Sequence, residues 1–134
     1  GDFAKALMNI GAVKAVEVGC GIESSTLTGH EMNDEYYIED NKIQTKTNNA
    51  GGIVGGMTNG MPIILKISVK PTPSVSGIQN TVNWEKRENS TIEIEGRHDP
   101  CICPRITTVA EAVCNMVLAD HMIRAGYIHP DKIN

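Results

Sequence analysis

The alternation of apolar and polar positions divides the chain into short elements. Asp2 to Asn9 carries apolar residues at helical spacing and is closed by Gly11, which predicts a short helix. Ala12 to Val18 follows, its β-branched valines suited to a half-buried strand that Gly19-Cys20-Gly21 closes. From Ile22 to Asp34 the periodicity is lost. This stretch is polar, contains glycine and gathers His30, Glu31 and Asp34, so it is expected to be a loop, either solvated or lying over a site. Tyr36 to Ile38 and Ile43 to Thr47, around Glu39-Asp40-Asn41-Lys42, predict an antiparallel hairpin.

In the second half, Ile63, Leu65, Ile67 and Val69 alternate with Ile64, Lys66, Ser68 and Lys70, describing a strand with one apolar face that stops at Pro71. Thr81 to Trp84 and Thr91 to Glu95 predict another hairpin, with Glu85 to Ser90 as its solvated turn and Ile92 and Ile94 facing inward. Thr108-Val109-Ala110-Glu111 has the form of a capping box. Beyond it, Ala110, Val113, Cys114, Val117, Leu118 and His121 share one face of a helix that Gly126 would end. His121 is expected at the core edge, satisfied there rather than acting as a ligand. The tail from His129 to Asn134 is expected to fray. Short antiparallel strands with helices near both ends define an α+β class. Because helical spacing begins at the first residues with no initiator Met, the chain is expected to start mid-fold; a short natural helix behind a trimmed scar is the alternative.

Bulk composition narrows the function classes. With 134 residues the chain makes one domain at most, large enough for a modest core but small for an enzyme enclosing both cofactor and substrate. A net charge of -4 gives no general attraction to nucleic acid or to an anionic membrane, so any phosphate site must be local. Met61 to Leu65, the longest uncharged apolar run, is too short to span a bilayer. Four cysteines in an acidic chain with no secretory leader suit a reducing cytoplasm better than a disulfide scaffold.

Three stretches carry candidate chemistry. Asn48 to Gly60 is rich in glycine, including Gly51, Gly52, Gly55 and Gly56. A backbone without Cβ atoms can approach a flavin or a phosphate closely, or it can form tight turns and a close packing contact. No dinucleotide fingerprint and no P-loop is present. Lys70-Pro71-Thr72-Pro73-Ser74 places a cation and two hydroxyls on a backbone stiffened by two prolines, which fits either a phosphate clamp or a proline-rich strand exit with a solvated lysine. Gly96 to Glu111 crowds Arg97, His98, Asp99 and Arg105 at a junction between strand and helix, stiffened by Pro100 and Pro104.

Taken in order, Asn-Asn-Ala-Gly-Gly-Ile-Val-Gly-Gly from Asn48 to Gly56, Lys-Pro-Thr-Pro-Ser from Lys70 and Gly-Arg-His-Asp-Pro-Cys from Gly96 resemble the motifs of chorismate synthase. Matches reach upstream to Ala12-Val13-Lys14 and downstream through Glu111-Ala112, so the resemblance covers nearly the whole chain but only part of the family's length. It implies a carboxy-terminal portion, residues 1-134, of a homotetrameric enzyme with a β-α-β sandwich core. The family converts 5-enolpyruvylshikimate 3-phosphate into chorismate by a 1,4-anti elimination of phosphate, and requires reduced FMN without net redox change. Its amino-terminal Gly-Glu-Ser-His-Gly segment, substrate-binding basic residues and two acid histidines have no match here, so this stretch alone is expected to be inactive.

By the same resemblance, Asp99 matches the aspartate that accepts the flavin N5 proton, and Arg97 a flavin-contacting arginine. Lys70, Pro71, Thr72, Pro73 and Ser74 match the FMN segment, Gly55 a glycine whose backbone approaches the cofactor, and Gly11 and Ala12 another flavin-contacting pair. Gly11 stands where the family commonly has a side-chain amide; Pro73 and Cys103 are further departures. His98 belongs to the signature but matches neither acid histidine. Two rival classes remain at this level. One is a metal module built from Cys101, Cys103, His98 and Cys114 or His121, weakened by the lack of a second cysteine pair. The other is a non-catalytic fragment that buries its Gly-rich face against a partner. In either case no metal is assigned to the FMN residues.

Overall fold

A computed structural model describes residues 1-127 together with 129 and 131. The framework is a ribbon of two antiparallel strands, β1 (Val13-Val18) and β6 (Leu65-Val69), backed by helices α1 (Asp2-Met8) and α3 (Cys103-Arg124). Val13 pairs with Val69 and Val18 with Leu65, with a register shift between Val13 and Ala15. Three hairpins hang from this ribbon: β2 (Tyr36-Glu39) with β3 (Lys42-Thr45), β4 (Ile53-Val54) with β5 (Met57-Thr58), and β7 (Ile78-Asn83) with β8 (Glu88-Glu93). The arrangement is α+β with every strand pair antiparallel, as the alternation implies.

The core is small. Among the described residues, the buried apolar side chains are Leu7 of α1, Val13 of β1 and Ile106 of α3, one from each element that meets there. The face of α3 built from Ala110, Val113, Cys114, Val117 and Leu118 is half-buried, and it straddles α1. On one side Ala110, Cys114 and Leu118 line an open groove of about 300 Å³ with Phe3, Leu7 and Leu65. On the other, Val113 and Val117 face Ala6 and Asn9, and His121 meets Asp2, with Nε2 2.9 Å from Oδ2. His121 is thus partnered as expected, but it stands exposed on the surface and not at the core edge.

A self-contained globular protein of 14.5 kDa exposes about 6,900 Å² by the usual scaling of surface with mass. This chain exposes 10433 Å², an excess of roughly 3,500 Å² over that scaling. The excess includes large apolar side chains on the hairpins, among them Ile38, Ile43, Ile78 and Trp84.

Several sequence expectations differ from the structure, including the start of β6, which lies at Leu65 and not Ile63. The stretch from Ile22 to Asp34 is not a plain loop. It holds a 3-10 turn, Gly21-Thr26, and a four-residue helix α2, Gly29-Met32. A true capping box sits there: the Thr28 hydroxyl accepts from Glu31 N, and Glu31 Oε2 accepts from Thr28 N at 2.8 Å. The Thr28 amide and hydroxyl hold the Glu31 carboxyl below its ordinary pKa.

Conversely, Thr108 and Glu111 cap nothing, because α3 begins at Cys103. Pro104 in the first turn presets a helical φ and lacks an N-H that the first turn could not use, so the helix starts upstream of the apparent box. The second hairpin runs longer and turns earlier than expected. Asn83 Oδ1 accepts from both Glu85 N and Lys86 N, and Arg87 adopts φ 52, so the turn closes before Glu88 and Ser90 falls within β8. Finally, Ile92 and Ile94 do not face a core. They are 47% and 38% exposed, because β7 and β8 pair only with each other and no layer lies beneath them among the described residues. The expected fraying of the tail from His129 falls largely outside the described residues.

By length and composition α3 is also apolar enough to cross a membrane, with a mean hydropathy of 1.2 over 18 residues. Uninterrupted apolar runs miss this. Among the described residues its packing partner is α1, and only 6% of that apolar window is buried.

Candidate functional site

The glycine-rich stretch resolves into two halves with different duties. Gly51 and Gly52 pack. A Cβ on Gly52 would lie 2.5 Å from the Pro62 carbonyl oxygen, and one on Gly51 would collide with the backbone of Gly19. This close approach lets Gly19 N donate to Ile64 O at 2.9 Å and Cys20 N to Asn49 O at 2.9 Å, which sews the turn to the Val18-Leu65 end of the ribbon. Gly55 and Gly56 instead form the two-residue tip between β4 and β5, at φ 58 and 81, with open space where a Cβ would stand.

The turn is held by a buried carboxylate. Asp34, 8% exposed, accepts from Thr47 Oγ1 at 2.6 Å, Asn49 N at 2.8 Å and Ala50 N at 2.9 Å. Burial pushes its pKa up, but the hydrogen bonds from Thr47, Ala50 and Asn49 prevail and hold it below the ordinary value. Asp34 is therefore a structural latch on the turn.

The opposite end of the ribbon gathers most of the predicted site residues. Lys70 N donates to Ala12 O at 2.8 Å, extending the ladder one step past Val13 and Val69. Ala12 sits at φ 71, a left-handed conformation that costs an alanine about 1-2 kcal/mol. Such strain persists only where neighbouring bonds over-determine it. From Lys70, the proline-stiffened segment runs alongside the Gly96-Asp99 segment and is bonded to it twice. Thr72 Oγ1 donates to Asp99 O at 3.0 Å, and Ser74 Oγ lies 2.9 Å from His98 Nδ1. His98 Nε2 in turn lies 3.1 Å from Ile94 O. A carbonyl only accepts, so Nε2 carries the proton; in the neutral ring Nδ1 accepts, and the Ser74 hydroxyl donates to it.

Two guanidinium groups bracket the Asp99 carboxylate: Arg105 Nη1 is 3.0 Å from Oδ2 and Arg97 Nη2 is 3.5 Å from Oδ1. Asp99 is only 33% exposed, whereas Arg97 and Arg105 are 86% and 72% exposed, so the acid is recessed between two solvent-facing cations. Arg105 makes the shorter contact, yet the motif comparison assigned it no role. Its position follows from the early start of α3, which turns residue 105 back toward residue 99.

The structure thus brings together Ala12, the Lys70-Ser74 segment, Arg97 and Asp99, with Gly11 beside them in sequence. It does not bring Gly55 to them: the turn carrying Gly51 abuts the far end of the ribbon. The hydroxyls of Thr72 and Ser74, read from sequence as clamp donors, both point into the protein and bond the 96-99 segment. The cysteines stand apart. Cys101 and Cys103 are exposed, and a hydrogen bond from the Cys103 thiol to Cys101 raises the Cys103 pKa; burial raises that of half-buried Cys114. Among the described residues no three of His, Cys, Asp and Glu gather to hold a metal ion.

Fold and site define an α+β segment in which charged residues from separate stretches of chain are brought together. A family model described as chorismate synthase matches residues 1-123. The chorismate synthase of Methanosphaera stadtmanae is 99% identical over 134 residues, all of this chain and 37% of that protein. That of Methanobrevibacter smithii is 62% identical over 133 residues, 99% of this chain and 36% of that protein. A crystal structure of a chorismate synthase superposes with a TM-score of 0.71 at 31% identity, covering 93% of this chain and 30% of that one. The chain belongs to the chorismate synthase family, and it spans little more than a third of the length of the curated relatives it matches.

Proposed function

We propose that the chain is the carboxy-terminal part of a chorismate synthase, carrying much of an FMN site and a catalytic aspartate. The observation that supports this best is the pair of hydrogen bonds between the Lys70-Ser74 and Gly96-Asp99 segments, which sets an FMN motif against a recessed Asp99 flanked by Arg97 and Arg105. The residues present fit a phosphorylated cofactor. Arg97 and Arg105 stand exposed around the carboxylate of Asp99, Lys70 is exposed just past the end of β6, and the amides of Thr72 and Ser74 alternate with prolines that have none. Reduced FMN, when bound there, supplies transient electron density that lets an allylic phosphate leave without net redox change.

The chain's own residues have narrower duties. Lys70 offers a point charge to phosphate, Arg97 a planar donor to the cofactor, and Gly11, Ala12, Pro71 and Pro73 a rigid backbone around it. Gly55 contributes to the cofactor site only through a surface the described residues do not form by themselves. Asp99 accepts a proton at its carboxylate, the role of a general base. The substrate is 5-enolpyruvylshikimate 3-phosphate, met by groups on the remainder of the protein, which also supplies the acid histidines. The roughly 3,500 Å² of surplus surface belongs against that remainder and against other subunits of a cytoplasmic homotetramer. The metal-module alternative is not favoured by the family relationship.

The test uses a complete synthase bearing this segment. FMN titration followed by flavin fluorescence should saturate. Asp99→Asn should lower turnover by about 10²-10⁴-fold, the span of general acid-base catalysis, with FMN affinity nearly unchanged. Near-normal turnover would remove Asp99 from the mechanism, and a titration without saturation would remove the cofactor site.

A further inference from the structure

The bond between Ser74 and His98 carries a consequence for anion binding, resting on the reading of Lys70-Ser74 as a cofactor-phosphate segment. A serine hydroxyl has one proton. Here that proton is directed at His98 Nδ1, because Nε2 must donate to Ile94 O. In this state the outward side of Ser74 Oγ offers only lone pairs, which repel a phosphate oxygen. To donate to phosphate, Ser74 must turn its proton outward. Its oxygen and Nδ1 would then face each other as two acceptors 2.9 Å apart. The conflict disappears if Nδ1 becomes protonated, since an imidazolium donates from both nitrogens, to Ile94 O and to Ser74 Oγ, and both partners accept.

We propose that binding of a phosphomonoester at the Lys70-Ser74 segment draws one proton from solvent onto His98 Nδ1, so that Ser74 reverses from internal donor to anion donor. His98 is then a positioning residue that acts on the ligand through Ser74. The balance is simple: one proton leaves the buffer, one N-H forms on the ring, and no covalent bond to a heavy atom changes. The charged groups on the segments meeting at His98 are Lys70, Glu93, Glu95, Arg97 and Asp99, with Arg105 of α3 joined through Asp99. A dianionic phosphate bound at this segment adds negative charge beside His98 and favours the imidazolium.

The proposal predicts measurable proton uptake. In a complete synthase bearing this segment, FMN binding is measured by calorimetry near pH 7.5 in buffers of different ionisation enthalpy. At that pH a phosphomonoester with second pKa about 6 is already mostly dianionic. Wild type should take up close to one proton per FMN. Riboflavin, which lacks the phosphate, should show no uptake, and Ser74→Ala should bind FMN more weakly and without it. Equal uptake in wild type and Ser74→Ala would overturn the relay, because the proton would then follow the phosphate field alone. Saturable FMN binding with no uptake in wild type would overturn it too. Binding of neither flavin would instead remove the cofactor reading on which the proposal rests. Should Ser74→Ala bind too weakly for calorimetry, imidazole ¹⁵N NMR of wild type decides: FMN-bound His98 should be an imidazolium, and an unchanged Nε2-H tautomer refutes the relay.

Discussion

Asp34→Ala tests whether one buried carboxylate holds the glycine-rich turn and, through it, the ribbon. The substitution removes the acceptor for two backbone amides, Asn49 N and Ala50 N, and for the Thr47 hydroxyl, at a residue only 8% exposed. An orphaned buried donor costs about 1-3 kcal/mol. The hydroxyl can turn elsewhere, so the two amides dominate, and a loss of about 3-4 kcal/mol is expected for the turn. At 1.4 kcal/mol per factor of ten, this lowers the protection of those amides by about 10²-fold or more.

Hydrogen exchange of peptides covering residues 47-52, in a complete synthase bearing the segment, reads that loss directly. Asp34→Asn should fall between, since its amide oxygen can still serve Thr47 and Asn49 while its NH₂ faces the Ala50 donor. The acid limb gives an independent check. The folded pKa of Asp34 lies below its ordinary 3.8, so its contribution is present above that value and is lost as pH falls through the lower, folded one. Opening of the turn should therefore rise at the acid end in wild type, and Asp34→Asn should flatten this rise. Protection of Asn49 and Ala50 unchanged within about threefold in Asp34→Ala, less than 1 kcal/mol, would refute the latch.

The two halves of the glycine-rich stretch should respond differently to a methyl group. Gly52→Ala meets the Pro62 oxygen at 2.5 Å and keeps φ 77, whereas Gly55→Ala has open space and φ 58. The first should cost more than about 3 kcal/mol and the second about 1-2 kcal/mol, and thermal midpoints of the two variants compare them. Weaker FMN binding by stable Gly55→Ala would place this tip at the cofactor. Thr72→Val deletes the donor to Asp99 O and should cost about 1 kcal/mol. If that bond aims Asp99, kcat should fall while FMN affinity holds; a parallel fall in stability alone would make the bond purely structural.

Local periodicity made the framework legible. Leu65, Ile67 and Val69 needed only their alternation to define β6, although Ile63, expected in the same strand, lies outside it, and Val113, Cys114 and Val117 needed only their spacing to define the inner face of α3. Capping was misread because the box pattern at Thr108-Glu111 looked complete, while the equally complete Thr28-Glu31 lay in a stretch without an apolar stripe to announce a helix. The decisive signal at the true start of α3 was Pro104, whose preset φ outweighs a missing cap. Ile92 and Ile94 illustrate a different limit. Their alternation reports which face of a hairpin is apolar, not what covers it, and the covering layer is absent among the described residues. The motif residues of the site were legible as a set, and Arg105 was read as crowded with them, but its contact with Asp99 was not legible because it depends on where a helix begins.

The latch and the site occupy opposite ends of one ribbon, and this separation assigns them different tolerances. At the Val18-Leu65 end, Gly19 and Gly51 are in backbone contact and Asp34 fixes the turn, so substitutions act through packing and orphaned donors. At the Val13-Val69 end, Ala12, Lys70, Arg97, Asp99 and Arg105 are exposed or half-buried, with few apolar neighbours to lose. Changes there should affect ligand binding and turnover more than stability. The link between the two ends is register: slipping β6 by one residue would turn the face carrying Ile67 and Val69 to the other side and carry Lys70 away from Ala12. The buried turn therefore matters to the half-site by holding the strand that delivers its lysine, although none of its residues touches Asp99.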